Sequence, residues 1–112
     1  MHISESDFAD HVERYLQYQY GEEYVEREYV FEDNLRVDFL VQTPLCRLAI
    51  ELENDAASIR DGLGQAVDYH RKAPDLRPVI LVPKGHVSDT RVEAYSPYVL
   101  IREFDVEKKE LV

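Results

Sequence analysis

The chain has 112 residues and a net charge of −10, with 23 acidic and 13 basic side chains. This length leaves room for one domain over residues 1–112 and excludes a second catalytic domain. The hydrophobic fraction of 45%, with eight tyrosines and four phenylalanines, is enough to bury a core, so a disordered chain is not expected. The one cysteine, Cys46, excludes an intramolecular disulfide and a thiolate zinc site.

The excess of acidic residues has two interpretations. Such a surface repels phosphate, so binding to DNA is expected to be weak in low salt. In the first interpretation the protein is adapted to a salt-rich cytoplasm, where a Debye length of about 3 Å at 1 M screens the repulsion. In the second, the acidic surface binds a basic protein partner or imitates DNA. Composition alone does not separate them.

No segment has the pattern of a leader or a membrane span. The first seven residues contain neither a basic region nor an apolar run, and no stretch approaches the ~18 apolar residues that a membrane helix requires. We therefore expect a cytoplasmic protein.

The first predicted element is a helix. Apolar residues recur at helical spacing over 7–16, where Ser4, Ser6 or Asp7 can cap the start and Gly21 can end the helix.

Three antiparallel strands are predicted next. Two runs rich in strand-forming residues, 23–31 and 35–42, are separated by turn residues, which is typical of a β-hairpin. Pro44 ends the second run because proline has no N–H to donate. Residues 47–53 then alternate between apolar and polar, which predicts the third strand.

The second half of the chain predicts a parallel β-α-β unit. Residues 59–70 carry apolar side chains at helical spacing until Pro74, and 78–83 form a short apolar run typical of a buried strand. The remaining predicted elements are a short helix at 89–95, a strand at 98–104 and a charged tail at 106–112. The fold class is therefore mixed α/β.

Strand alternation brings three carboxylates together. It predicts that Asp38 lies on one face of its strand and that Glu51 and Glu53 lie on the same face of the next strand. The opposite face of the first strand is predicted to carry Leu35, Val37, Phe39 and Val41.

Clustered carboxylates repel one another unless a cation is bound. Oxygen ligands without cysteine or a dedicated histidine favour Mg²⁺ or Mn²⁺ over zinc. The alternative is an ordinary solvated sheet face in an acid-rich chain.

These residues resemble a known family. The sequences RVDFLV at 36–41, LAIELE at 48–53 and GQAVDY at 64–69 are together similar to the core of the PD-(D/E)XK nucleases, and the predicted order α-β-β-β-α-β agrees. The resemblance implies a restriction endonuclease-like fold, a mixed sheet flanked by helices. It also implies that Asp38 and Glu51 bind the divalent cation and that Gln65 positions water, metal or phosphate.

One departure from the family is important. Glu53 occupies the position of the family's lysine, where it could orient or deprotonate water but cannot supply positive charge to the transition state. Arg36, Arg47 or Arg60 could supply that charge instead. Glu13 on the first helix is a candidate for a further acidic member of the site.

The resemblance implies a divalent-cation-dependent DNA endonuclease that hydrolyses phosphodiester bonds, and we expect a homodimer because a small nuclease needs two copies to cut both strands. The alternative is a catalytically inactive nuclease-fold protein that acts as an acidic protein-binding or DNA-mimic module.

Overall fold

The computed structural model describes residues 3–32, 34–53, 68, 75–85 and 100–112. Its elements in chain order are helix α1 (Glu5–Tyr20), a 3-10 turn (Glu22–Tyr24) and strands β1 (Val25–Val30), β2 (Arg36–Gln42), β3 (Arg47–Leu52), β4 (Leu76–Pro83), β5 (Leu100–Asp105) and β6 (Glu110–Leu111). The mixed α/β class is confirmed. Of the helix predicted at 59–70 the structure describes only Asp68, which is helical, and the helix predicted at 89–95 lies outside the described residues.

Helix α1 begins and ends where the sequence predicts. The Asp7 N–H donates to the Ser4 side chain at 3.2 Å, which satisfies one of the unpaired N–H groups of the first turn. Gly21, with a φ of 100°, ends the helix in a conformation that favours glycine. Phe8, Val12 and Leu16 form the buried face.

The six strands form one sheet in the order β1-β2-β3-β4-β5-β6. Strand β2 is antiparallel to both β1 and β3, as predicted, whereas β4 is parallel to both β3 and β5. The parallel pairing of β3 with β4 confirms the predicted relation between these strands.

Helix α1 covers one face of the sheet and builds the larger core there. We call this the helix-side core; its buried residues are Phe8, Val12, Leu16, Phe39, Val41, Ile50, Val79, Leu81 and Phe104. The Phe104 ring centroid lies 6.1 Å from that of Phe8 and 5.6 Å from that of Tyr15, so the aromatic contacts join α1 to β5. The far-side core contains Phe31, Val37, Leu40, Ala49 and Leu76.

Strand β2 departs from the predicted alternation. Phe39 and Val41 pack in the helix-side core, but Val37 is buried in the far-side core beside Leu40, and Leu35 packs there too. The prediction that Leu35 and Val37 share a face with Phe39 and Val41 is therefore wrong.

The change of face on β2 occurs where the backbone of β1 is unusual. Glu28 has a φ of 55°, in the left-handed region that non-glycine residues seldom adopt. The β1–β2 ladder pairs the residues on either side but lacks a pair between Glu28 and Asp38. Val25 packs against the helix-side core and Tyr29 against the far-side core, so β1 changes faces at the same level.

The predicted charged tail is wrong in part, because Glu110–Leu111 forms strand β6 against β5. Asp105 holds the turn between them: its Oδ1 accepts from the backbone N–H of Glu107 at 3.0 Å and of Lys108 at 3.1 Å. Carboxylates commonly accept such bonds in turns, so the turn forms despite its charged sequence. Among the described residues, no helix is long and apolar enough to cross a membrane.

Substituting Phe104 tests the helix-side core. Phe104→Ala should reduce the free energy of unfolding by about 3–5 kcal/mol, because it leaves a cavity beneath α1. Leu100→Ala is the matched control on the same strand; Leu100 is 50% exposed, and its loss should cost less than about 0.5 kcal/mol. Urea unfolding measures both, and equal losses would contradict the described packing.

Asp105 should make stability depend on pH. The Lys108 N–H, and then the Lys84 ammonium 3.5 Å away, hold the pKa of Asp105 below its ordinary value of 3.8. A lowered folded-state pKa stabilises the protein above 3.8, and this contribution is lost as the pH falls through the folded-state value. The urea midpoint of Asp105→Asn should therefore lie below that of wild type at pH 7, and the difference should shrink below pH 3.8. A difference constant with pH would contradict this role.

Candidate active site

The candidate site lies where β2 and β3 stop pairing. Their ladder ends at Phe39 and Ile50, and Asp38 and Glu51 occupy the next equivalent positions on the two strands. There the Leu52 N–H donates to Asp38 Oδ2 at 2.7 Å. A side-chain carboxylate thus replaces the backbone acceptor at the end of the ladder.

Strand β3 continues beyond this point against β4. Leu52 pairs with Leu81, and the Glu53 N–H donates to the Leu81 carbonyl at 3.0 Å. The end of β3 is therefore held by β4 on one side and by Asp38 on the other. This fixes the backbone that carries Glu51 and Glu53.

A cleft of about 450 Å³ opens between the end of this ladder and the first turns of α1. Charged side chains from four elements line it. Among the described residues these are Glu5, Arg27, Glu28, Asp38, Glu51 and Glu53. In the part of its lining that the structure describes, the cleft is therefore strongly acidic, with one cation among five carboxylates.

The three carboxylates predicted to converge do line the same cleft. Glu51 is buried, with 7% of its surface exposed, while Asp38 and Glu53 are half-buried. Gln65, the fourth predicted site residue, lies outside the described residues, as does Arg60.

Three other candidates lie elsewhere. Arg47 begins β3, about 20 Å along the strand from Glu53. Arg47 does not line the cleft, and Asp75 holds its guanidinium with two hydrogen bonds of 2.7 and 3.0 Å. Because of its distance from Glu53, the prediction that Arg47 could replace the lysine is wrong. Glu13 does not line the cleft and instead contacts Arg27 Nη1 at 3.5 Å. Arg36, exposed at the start of β2, does not line it either.

Arg27 is the functional candidate that sequence reasoning missed. Its Nη1 donates to Asp10 Oδ1 of α1 at 2.7 Å, and its guanidinium carbon lies 6.0 Å from the centroid of the Phe39 ring. This hydrogen bond holds the pKa of Asp10 below its ordinary value and raises that of the Arg27 guanidinium. A possible sequence signal was the pair Asp10 and Glu13, which share a helix face three residues apart.

The same reasoning missed Glu5 and Glu28. Glu5 lies in the first turn of α1, where an acidic residue also complements the helix dipole. Glu28 lines the cleft and lies at the position where β1 changes faces. Strand alternation does not predict this change of face.

A metal ion in the cleft would have to take only part of its ligands from the described residues. Within the described ranges, no group of three His, Cys, Asp or Glu residues is placed to hold a metal ion. Mg²⁺ is usually bound by one or two carboxylates and keeps several waters. Asp38 and Glu51 would be the two ligands. The Leu52 N–H orients Asp38 through Oδ2, and Oδ1 accepts no hydrogen bond from a described residue.

Comparison with known proteins gave no match to a family model, to a curated protein or to a solved structure. The resemblance to PD-(D/E)XK nucleases therefore stays a prediction from the residues themselves.

Two substitutions of Asp38 separate its structural role from its charge. Asp38→Ala should reduce the free energy of unfolding by about 1–3 kcal/mol, because the Leu52 N–H loses its acceptor. Asp38→Asn keeps an oxygen acceptor, so it should reduce the free energy of unfolding by clearly less than Asp38→Ala. Urea unfolding without divalent cation makes the comparison. Equal losses in the two variants would contradict the described hydrogen bond.

Proposed function

We propose that this chain is a nuclease-like domain of the PD-(D/E)XK type that hydrolyses phosphodiester bonds in DNA with Mg²⁺ or Mn²⁺. One observation carries the proposal: Asp38, Glu51 and Glu53 line the same cleft, the first two at equivalent positions of neighbouring strands. These are the positions that match the family's acidic motif.

The order of the elements supports the same proposal. Helix α1 precedes three antiparallel strands, and the next strand is parallel to β3. This agrees with the order expected of a restriction endonuclease-like core. Glu51 and Glu53 also lie at the end of β3 that leads into the β3–β4 connection.

Asp38 and Glu51 would both bind the cation, but different features of the fold hold their side chains in place. Asp38 is oriented by the Leu52 N–H, and Glu51 lies buried beside it, where electrostatic interactions are stronger than in water. A bound divalent ion would stabilise charge on the phosphate and lower the pKa of water.

Glu53 is the candidate general base of the proposed reaction. It is half-buried and follows β3 by one residue, with its N–H fixed by the Leu81 carbonyl. A carboxylate here can orient water and accept its proton. It cannot neutralise the phosphate, so that charge must come from elsewhere in the cleft.

The acidic cleft sets the conditions for a test. Five carboxylates repel DNA most strongly in dilute buffer, and salt screens this repulsion over a Debye length of about 3 Å at 1 M. Activity therefore has to be measured in both dilute and molar salt, on single-stranded, duplex and branched DNA.

Mg²⁺ or Mn²⁺ should stabilise the wild-type protein and support cleavage. At 100 times its dissociation constant, a bound ion raises the free energy of unfolding by about 2.7 kcal/mol. Asp38→Asn and Glu51→Gln should lose this gain and the cleavage, because each removes one ligand charge. Glu26→Gln is the matched control, since Glu26 is exposed on β1 and does not line the cleft. Thermal unfolding and cleavage of labelled DNA give the two readouts.

The outcomes separate two functions. Stabilisation and cleavage lost in both cleft variants and kept in Glu26→Gln support the nuclease. If the wild type shows neither cation-dependent stabilisation nor cleavage in either salt condition, the proposal fails. The alternative then replaces it: a catalytically inactive module whose acidic surface binds a basic protein or imitates DNA.

A further inference from the structure

Arg27 brings positive charge to a cleft whose other charged lining residues, among those that the structure describes, are carboxylates. Resting on the proposed function, we propose that Arg27 contacts the phosphate of the substrate and supplies the charge that Glu53 cannot. No sequence motif contains Arg27. The inference comes from its place on the cleft wall beside Asp38 and Glu51.

Arg27 is held from one side and open on the other. Its Nη1 donates to Asp10 at 2.7 Å and lies 3.5 Å from Glu13, and its guanidinium lies near the Phe39 ring. Its Nε and Nη2 donate no hydrogen bond to any residue that the structure describes, and 30% of the side chain is exposed. The ion pair with Asp10 thus positions the guanidinium, and Nε and Nη2 can donate hydrogen bonds to a ligand in the cleft.

The chemistry of the guanidinium fits a phosphodiester. Arginine donates through a planar fork that matches two phosphate oxygens, and it stays protonated at any working pH. A phosphate that enters the cleft meets five carboxylates, so a cation on the wall offsets part of the repulsion. Arg27 provides positive charge without competing with Glu53 for the proton of water.

A purely structural role predicts something different. If Arg27 only ties β1 to α1, Asp10→Asn should have the same effects as Arg27→Gln, because each breaks the same ion pair. If Arg27 contacts phosphate, the two variants should lose similar stability, but Asp10→Asn should keep most of the phosphate affinity because the cation remains.

The experiment measures binding of a labelled oligothymidylate to the full chain in Mn²⁺. Methylene groups replace the bridging 3′ oxygens of the probe, so it keeps its negative charge and resists hydrolysis. Arg47→Gln is the matched control, since Arg47 is 29% exposed and forms a comparable ion pair with Asp75 away from the cleft. Mn²⁺ affinity is measured in parallel by calorimetry, and circular dichroism reports folding.

Arg27→Gln should weaken oligonucleotide binding roughly tenfold or more, as expected for a lost charge-assisted hydrogen bond. Asp10→Asn and Arg47→Gln should change it by less than about threefold, and Mn²⁺ affinity should be the same in all variants. If Arg27→Gln does not fold, Arg27→Lys takes its place; it keeps the charge without the fork, and its binding should still fall below that of wild type.

Two failures are distinguishable. The role of Arg27 is overturned if wild type and the Arg27 variants bind the oligonucleotide equally well, or if Asp10→Asn and Arg27→Gln lose the same affinity. Normal Mn²⁺ binding in that case leaves the nuclease proposal standing. Absence of Mn²⁺ binding to the wild type overturns the proposed function itself.

Discussion

The hydrogen bond from the Leu52 N–H to Asp38 Oδ2 is the interaction on which the candidate site depends. It joins β2 to β3 one step beyond their last backbone pair, and β4 holds the other edge of β3. Because the bond uses one oxygen of Asp38, it orients the carboxylate and fixes the end of the strand that carries Glu51. Fold and site share this bond, so changes in Asp38 affect stability and chemistry together.

The same placement creates an electrostatic conflict. The carboxylates that line the cleft repel a phosphate, and the chain as a whole carries a net charge of −10. In the proposed function, a divalent ion and Arg27 would offset this repulsion within the cleft, whereas salt would screen it over the rest of the surface. In a chain this acidic, a phosphate would bind only where basic side chains are well positioned.

Much of the fold could be predicted because local signals were strong. Ser4 and Gly21 mark the start and the end of α1, as predicted. The spacing of Leu48, Ile50 and Leu52 correctly predicts that all three pack on the helix-side core. The predicted alternation of faces on β2 failed at Asp38 because it assumes an extended backbone throughout. No sequence pattern predicts the left-handed conformation of Glu28 on the neighbouring strand. Arg27 was missed because its position beside α1 depends on tertiary packing, which strand alternation does not describe. Three carboxylates of the cleft could therefore be predicted from the sequence, whereas Arg27 could not.

The central claim is that Asp38 and Glu51 together bind a divalent ion. A crystal structure of the wild-type protein soaked in Mn²⁺, with anomalous data collected near the manganese edge, tests this most directly. We expect an anomalous peak within bonding distance of both carboxylates, with water completing the coordination and the Asp38 bond to Leu52 retained. A cleft without a peak, with Asp38 and Glu51 turned apart or paired with arginine side chains, would contradict the account.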